Sequence, residues 1–344
     1  MQRSLTISAA RGLAIILVVY GHVIQRTMMA NGADFFSNPA FKTVYTFHMP
    51  LFVFISGYLM FFSLSRRNEA EVFKSRCKSL LVPFVSWGIL GIISGYIVNV
   101  WDGKGLGINL PWDLADQLLI HPAVWFLFTL FVLSCLLLAA VKLEKRFGAW
   151  IFAAVYLLLL AIPYNDYCSI YYIKWFYVFY AAGYLVNKHG ITITDRALNL
   201  AVFAVSLLLF IILVSFWTVD DFIYINKMGF GLNRLGYRYL VGFLGIVIVL
   251  YTGALCSKTK IGGFLDYVGI YSLDIYLIQR YIVEGLYPRL VQRLHLSFDF
   301  NSPLFLYVFA PVAALLLTGL CVVISRALIR KSDVLNRLLL GGRA

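Results

Sequence analysis

The sequence predicts an all-α integral membrane protein, a bundle of about ten transmembrane helices with both termini in the cytoplasm. Of its 344 residues, 61% are hydrophobic and only 13% are charged, whereas soluble domains average about 25% charged residues. The apolar runs are continuous and close to the roughly 20 residues that a helix needs to cross a bilayer. Membrane β-barrels instead show segments of about ten residues in which apolar and polar residues alternate, and this chain lacks them. No polar stretch is as long as a soluble domain.

The apolar segments, taken in order, define the predicted helices. By residue number they are 5–24, 44–64, 80–100, 123–141, 147–163, 170–186, 197–217, 235–256, 268–286 and 304–327. The fifth and sixth segments are short. Losing only one of them would move the basic carboxyl-terminal tail to the outside, which argues against such a loss.

The distribution of charge sets the topology. With the amino terminus in the cytoplasm, 19 of the 29 Lys and Arg residues fall on the cytoplasmic side, as the positive-inside rule requires. This bias accounts for most of the net charge of +13, so we expect the lipid bilayer and no nucleic acid as a partner. Residues 1–331 are expected to form one transmembrane domain, followed by a short basic cytoplasmic tail at 332–344. The five cysteines have no paired or metal-ligand spacing, and no metal site is predicted.

The first segment carries two ionisable residues, Arg11 and His22. Their separation of eleven residues closes almost three helical turns, so both side chains share one face, roughly 16 Å apart along the axis. An ionisable group at the centre of a membrane helix costs roughly 2.5–3.5 kcal/mol, which favours a functional site. The alternative is structural: Arg11 reaches an interface, and His22 lies near water at the far end of the helix.

His48 opens the second predicted helix. In an antiparallel helix pair it would lie at the same end as His22. One imidazole can then deprotonate a hydroxyl while the other orients that hydroxyl or a thioester. Each can equally be an ordinary interfacial histidine. Ser56 has no Ser-His-Asp spacing around it and is not a predicted nucleophile.

Basic and aromatic residues flank the next two segments. Lys74, Arg76 and Lys78 lead into the third segment, where they can hold phosphates or a nucleotide. Ordinary positive-inside charge explains them equally well. Trp125 opens the fourth segment, either as a wall for a sugar or acyl group or as an interfacial anchor.

Arg234 and Arg238 are i, i+4 neighbours at the start of the eighth segment. Two like charges on one helix face require an anion. Asp220 and Asp221, a lipid headgroup and a phosphate-linked substrate are all candidates.

The ninth segment buries several polar residues. Arg280 and Glu284 are i, i+4 neighbours and are expected to neutralise each other. Asp274 has no such local partner, and we expect it to face the bundle interior, towards Arg11 or a lysine.

Together these motifs resemble the integral-membrane acyltransferase family 3, the bacterial glycan O-acyltransferases. The resemblance rests on an ordered set: Arg11 with ten residues before His22, FHMPLFVFISGYL at 47–59, LVPF at 81–84 after a basic stretch, WFL at 125–127 and YSLDIYL at 271–277. It implies a stand-alone, multi-pass form of about ten helices in the bacterial inner membrane. It also implies an acyl-CoA donor substrate, usually acetyl-CoA, bound from the cytoplasm, with no permanently bound cofactor and with a cell-envelope sugar hydroxyl as acceptor.

By position, the resemblance makes His22 the essential histidine, Arg11 its partner and Arg76 one member of a basic pair. The chain departs from the family pattern at three places. The second arginine of the basic pair is missing, and Lys78 is the nearest basic residue. No acidic residue shortly precedes Arg11, and a histidine late in the ninth helix is replaced by Gln279.

We therefore expect an acetyl-CoA-dependent O-acetyltransferase of a glycan such as O-antigen, exopolysaccharide or a lipid-linked sugar. The expected catalytic residues are His22 as general base, Arg11 and His48. The expected donor-binding residues are Arg11, Arg76, Lys78 and Lys74. The expected acceptor-binding residues are Trp125, Arg234, Arg238, Asp274 and Gln279. The alternative is a transporter or flippase of lipid-linked sugars, which many helices and buried charges would suit.

Overall fold

The computed structural model describes residues 5–103, 105, 107–122, 124–163, 167–191, 200–218 and 232–342. Within these ranges the chain consists of helices and their connections, with no β-strand. The predicted all-α class is confirmed.

The α-helices are numbered here in chain order. They are α1 (Leu5–Ala30), α2 (Pro39–Tyr45), α3 (His48–Leu64), α4 (Glu69–Arg76), α5 (Val82–Trp101), α6 (Leu110–Ala115), α7 (Trp125–Phe147), α8 (Ile151–Ala161), α9 (Ile170–Lys188), α10 (Leu200–Val214), α11 (Leu232–Cys256), α12 (Lys260–Ile270), α13 (Ser272–Tyr281), α14 (Tyr287–Arg293), α15 (Ala310–Ile324) and α16 (Asp333–Leu340). Turns of π-helix adjoin several of them, at Cys77–Leu81, Asp116–Ile120, Ile282–Leu286, Phe305–Phe309 and Ser325–Ile329.

Among the described residues, six helices are long and apolar enough to cross a membrane, which supports a multi-pass protein: Leu5–Ala30, Pro39–Leu64, Glu69–Trp101, Trp125–Phe147, Arg234–Cys256 and Phe305–Ile329. The bent pair Lys260–Ile270 and Ser272–Arg293 adds a seventh if it counts as one span. Helices α8 and α10 are apolar but short. With 11 residues, α8 covers about 16 Å, or about half of a bilayer's hydrocarbon core. Ten spans and cytoplasmic termini stay predictions.

The segment at 268–286, expected as one helix, is interrupted in the structure. Helix α12 ends at Ile270, α13 begins at Ser272, and the two helices bend by 65° at this break. A Cβ on Gly269 would lie 2.1 Å from the carbonyl oxygen of Ser8, so only glycine lets α12 approach α1 this closely. Because the segment contains no proline, its periodicity gives no sign of the break.

The described residues form two compact units. The first unit holds the residues up to Phe52 and those from Gly190 to Ala327. The second holds Val53–His189 and the residues from Leu328 onward. The expectation of one domain over residues 1–331 stays a prediction.

Helix α1 is the centre of the first unit and packs against α11, α12 and α15. Small residues allow this close packing. A Cβ on Gly12 would lie 1.9 Å from the carbonyl oxygen of Leu265, so the backbones of α1 and α12 are in direct contact. Fifteen of the 26 residues of α1 are buried as a result.

The second unit is built around α7 and α9, with the later part of α3. The hydroxyl groups of Ser134 and Tyr180 lie 2.9 Å apart and join α7 to α9. A Cβ on Gly57 would lie 2.0 Å from the carbonyl oxygen of Tyr180, which brings α3 against α9. The carboxyl-terminal helix α16 packs on α5, where the Trp87 indole donates to the carbonyl oxygen of Leu339 at 2.8 Å.

Candidate active site

His22 lies on α1 in the first unit, where two polar neighbours hold one side of its imidazole. Nδ1 of His22 is 3.2 Å from Oε1 of Gln25 and 3.3 Å from the hydroxyl oxygen of Tyr45. Gln25 follows His22 by three residues on the same helix face, and Tyr45 ends α2. An amide oxygen only accepts hydrogen bonds, so the neutral tautomer with its proton on Nδ1 satisfies the contact with Gln25. In that tautomer the lone pair is on Nε2.

A carboxylate faces the other side of the ring. Oε1 of Glu284 is 3.9 Å from Nε2 of His22, and Oε2 of Glu284 accepts a hydrogen bond from Nη2 of Arg26 at 2.9 Å. The side chains of His22, Arg26 and Glu284 keep 20–28% of their surface exposed. These polar side chains are therefore not completely enclosed by the protein.

The expected ion pair between Arg280 and Glu284 is wrong, because Glu284 pairs with Arg26. Glu284 lies in the π-helical turn at Ile282–Leu286, which joins α13 to α14. Its partner comes from the neighbouring helix α1, and such a tertiary contact is not encoded in the i, i+4 spacing.

Tyr45 is held in place by its own packing. Its ring stacks on that of Phe41, with centroids 3.8 Å apart, and a Cβ on Gly21 would lie 2.6 Å from its Cε2 atom. The ring of His48 lies on another side, 4.5 Å from the Tyr45 ring. His48 is almost fully buried and donates from Nδ1 to the carbonyl oxygen of Val44 at 2.9 Å. His48 thus contacts Tyr45, and its expected catalytic role stays a prediction.

Arg11 lies on the same helix, towards its amino terminus. Its Nη2 atom donates a hydrogen bond of 2.7 Å to Oγ of Ser272, the first residue of α13. The guanidinium group therefore lies at the break between α12 and α13. Its expected part in donor binding stays a prediction.

Two further predicted site residues are buried on α13. Asp274 is fully buried and accepts a hydrogen bond from the hydroxyl of Ser325. Gln279 is 1% exposed, and its Oε1 atom has no hydrogen-bond partner among the described residues. Gln279 is the more unusual of the two, because a buried amide oxygen without a partner costs roughly 1–3 kcal/mol.

Arg234 and Arg238 both lie on α11 in the first unit. Arg234 donates from Nη2 to the carbonyl oxygen of Phe216 at 3.2 Å and to Oγ1 of Thr218 at 3.1 Å. Arg238 is almost fully buried, with its guanidinium carbon 5.3 Å from the ring centroid of Trp217. Asp220 and Asp221, the acidic partners considered from the sequence, lie outside the described residues.

The remaining predicted residues belong to the second unit. Lys74 and Arg76 end α4, and Lys78 lies in the following π-turn. Lys74 and Lys78 are exposed. Trp125 begins α7 and stacks on the ring of Tyr172 with centroids 3.8 Å apart. The roles of these four predicted residues in donor and acceptor binding stay predictions.

The residues around His22 are called the His22 cluster here: Gln25, Arg26, Tyr45 and Glu284. Sequence reasoning missed three of them, Gln25, Arg26 and Tyr45. Gln25 and Arg26 follow His22 by three and four residues, so a search of its helix face finds both. Tyr45 is different, because its proximity comes from the packing of α2 against α1. No sequence spacing gives that contact.

A family profile described as an acyltransferase domain matches residues 5–326. The chain is also similar to two proteins called nodulation protein NolL. The one from Mesorhizobium japonicum is 31% identical over 188 residues, covering 53% of this chain and 48% of the relative. The one from Sinorhizobium fredii is 30% identical over 245 residues, covering 70% of this chain and 61% of the relative. The chain thus spans about half to three-fifths of the length of these relatives. No solved structure matches it.

Proposed function

The chain belongs to acyltransferase family 3, and from that premise we propose that it is a membrane-embedded O-acyltransferase. It moves an acyl group, in the simplest case acetyl, from cytoplasmic acyl-CoA to a hydroxyl of a cell-envelope glycan. The acceptor is O-antigen, an exopolysaccharide or a lipid-linked sugar. The proposal includes a bacterial inner-membrane location, about ten spans and cytoplasmic termini.

The surroundings of His22 carry the proposal. Nδ1 faces the Gln25 oxygen at 3.2 Å, and Nε2 faces the Glu284 carboxylate at 3.9 Å. In this arrangement Nε2 carries the lone pair, the contact of Nδ1 with Gln25 fixes the orientation of the ring, and a negative charge lies nearby. These are the properties of a general base that takes a proton and becomes a cation.

The reaction follows from this arrangement. Nε2 of His22 takes the proton of the acceptor hydroxyl while the hydroxyl oxygen attacks the thioester carbonyl carbon. The new carbon–oxygen bond forms, the carbon–sulfur bond then breaks, and His22 returns the proton to the departing sulfur to give the free thiol of coenzyme A. General-base catalysis of this kind contributes typically about 10²–10⁴-fold. Glu284 stabilises the imidazolium, while Gln25 and Tyr45 hold the ring.

The donor is held through its phosphates in this proposal. Arg11 can offer a planar set of N–H donors to a phosphate. Arg76, Lys78 and Lys74 belong to the second unit and stay donor-binding residues expected from the sequence. Along α1, Arg11 and His22 are separated by a rise of about 16 Å, which is of the order of the pantetheine arm. The phosphates at Arg11 and the thioester at His22 are therefore compatible with one extended donor.

The experiment that tests this function compares envelope glycans by mass spectrometry from cells that express the wild-type chain or a variant. His22→Ala is expected to abolish O-acetylation while the protein still inserts in the membrane. His189→Ala is a matched control, because His189 is exposed and lies at the end of α9, outside the cluster. Wild-type acetylation in the His22 variant contradicts the proposal. Transport of a labelled lipid-linked sugar without acyl-CoA turnover would favour the flippase.

A further inference from the structure

The amide of Gln279 has an environment that the described residues do not complete. Its side chain is 1% exposed, and Oε1 has no hydrogen-bond partner among the described residues. Buried polar groups in folded proteins almost always have such a partner. A ligand that brings a hydrogen-bonding group to this amide would remove the cost of leaving it unpaired.

The register between α1 and the broken helix places Gln279 beside the middle of α1. Arg11 contacts Ser272 at the start of α13, and Thr27 contacts Tyr287 at the start of α14, with 2.7 Å between the atoms in each pair. From the first contact to the second, the residue numbers rise by 16 on α1 and by 15 on the broken helix. The two segments therefore run parallel to each other. Gln279 follows Ser272 by seven residues, or about 10 Å of helix.

Gln279 also lies on the face of α13 that is directed towards α1. Seven residues make almost two full turns, so Gln279 and Ser272 share one face of the helix, and Ser272 is the residue that contacts Arg11. At the other end, Glu284 faces His22 and follows Gln279 by five residues, or about 7 Å. Gln279 is thus at an intermediate level between Arg11 and His22.

We propose that the side-chain amide of Gln279 binds one of the two amide groups of the pantetheine arm of acyl-CoA, an inference that rests on the function proposed above. With the donor phosphates at Arg11 and the thioester at His22, the pantetheine arm passes the level of Gln279. An amide pairs well with an amide, because each group carries both a donor and an acceptor. Gln279 then positions the donor and takes no part in bond making or breaking.

The first test measures steady-state kinetics of the full-length chain in lipid nanodiscs with acetyl-CoA as the varied substrate. Gln279→Leu and the more nearly isosteric Gln279→Met are expected to raise KM roughly three- to tenfold, the value of one hydrogen bond, with kcat unchanged. Thr129→Val is the matched control. Thr129 is also fully buried, and its Oγ1 atom has no partner within the part of the chain that the structure describes. It lies on α7 of the second unit, and its replacement is expected to leave KM unchanged.

The second test changes the ligand. Two acetyl-CoA analogues each carry an ester oxygen in place of one pantetheine amide N–H group. For the analogue that lacks the bound amide, the wild-type KM is expected to rise, and the difference between the wild-type chain and Gln279→Leu is expected to disappear. The other analogue should keep that difference. This pattern also identifies the amide that Gln279 binds.

The outcomes separate the two proposals. A wild-type chain that neither binds nor turns over acetyl-CoA refutes the proposed function. Turnover with an unchanged KM in both Gln279 variants refutes the pantetheine contact and leaves the function standing. Equal losses on acetyl-CoA and on both analogues also refute the contact. If neither Gln279 variant folds, the analogues still test the pantetheine contact on the wild-type chain. A wild-type KM that is the same for both analogues as for acetyl-CoA refutes the contact.

Discussion

Glu284→Gln tests how the carboxylate supports His22. The amide keeps the shape of the side chain and its ability to accept a hydrogen bond from Arg26, but it removes the negative charge that faces Nε2 of His22. If His22 becomes a cation in the transition state, the variant must lose rate. If His22 only packs beside Glu284, the rate must stay the same.

The magnitude follows from the distance. Two unit charges 3.9 Å apart, in surroundings with an effective dielectric constant of about 20, interact by about 4 kcal/mol. Arg26 holds the same carboxylate at 2.9 Å and its positive charge opposes the imidazolium. Taking half of the interaction leaves about 2 kcal/mol, which corresponds to a fall in kcat of about thirtyfold.

The assay is acetyl transfer by the purified chain, with kcat and KM for acetyl-CoA measured separately. We expect kcat to fall and KM to stay constant, because Glu284 acts on the charge that develops at His22 and not on donor binding. Glu69→Gln is the matched control, since Glu69 is a carboxylate in an exposed ion pair with Lys145. A Glu284→Gln variant with wild-type kcat, or with a changed KM and an unchanged kcat, refutes the reasoning.

Two further substitutions test the packing around the cluster. Tyr45→Phe removes a hydroxyl that donates to Gln25 at 3.4 Å, and we expect kcat to fall about fivefold without a change in helical content by circular dichroism. Gly12→Ala would place a Cβ 1.9 Å from the carbonyl oxygen of Leu265, so we expect a loss of about 1–3 kcal/mol in unfolding free energy and a lower Tm. Gly319→Ala is the control for that variant, because no atom of the described residues lies within 4 Å of the added Cβ, and equal Tm values in the two variants would contradict the packing argument.

Helix α1 was the part of the molecule most accessible from sequence. Arg11 and His22 stand out because charged and titratable groups are costly in an apolar helix, and their spacing fixes a common face. The structure keeps both on α1, a single helix over Leu5–Ala30. Helical periodicity is a local property, so a single sequence is enough to predict it.

The partners of His22 were harder to predict, because they come from tertiary contacts. Glu284 was visible as a charged residue, but it pairs with Arg26 on α1 and not with Arg280 on its own segment. The break between α12 and α13 has no reliable local sequence signal either. Tyr45 reaches His22 only because α2 packs against α1, and such tertiary contacts are not encoded in spacing.

The number of spans shows the same limit. Hydropathy predicts an apolar segment at 147–163, yet the helix there covers only Ile151–Ala161. Hydropathy reports how favourable a residue is in hydrocarbon, whereas spanning also requires a continuous helix of sufficient length. Gly148 ends α7 with a positive φ of 85° and begins the connection to α8. Helix α8 begins at Ile151, after this connection.

The central claim is that His22 catalyses the transfer of an acyl group from acyl-CoA to a glycan hydroxyl. The most direct measurement uses the purified chain in nanodiscs with acetyl-CoA labelled with carbon-13 in the acetyl group, an envelope glycan fraction and mass spectrometry of the product. We expect the wild-type chain to place the label in O-acetyl esters and to release one thiol of coenzyme A per ester, and His22→Ala to do neither. Labelled esters at the wild-type rate with His22→Ala, or no labelled ester with the active wild-type chain, would contradict the claim.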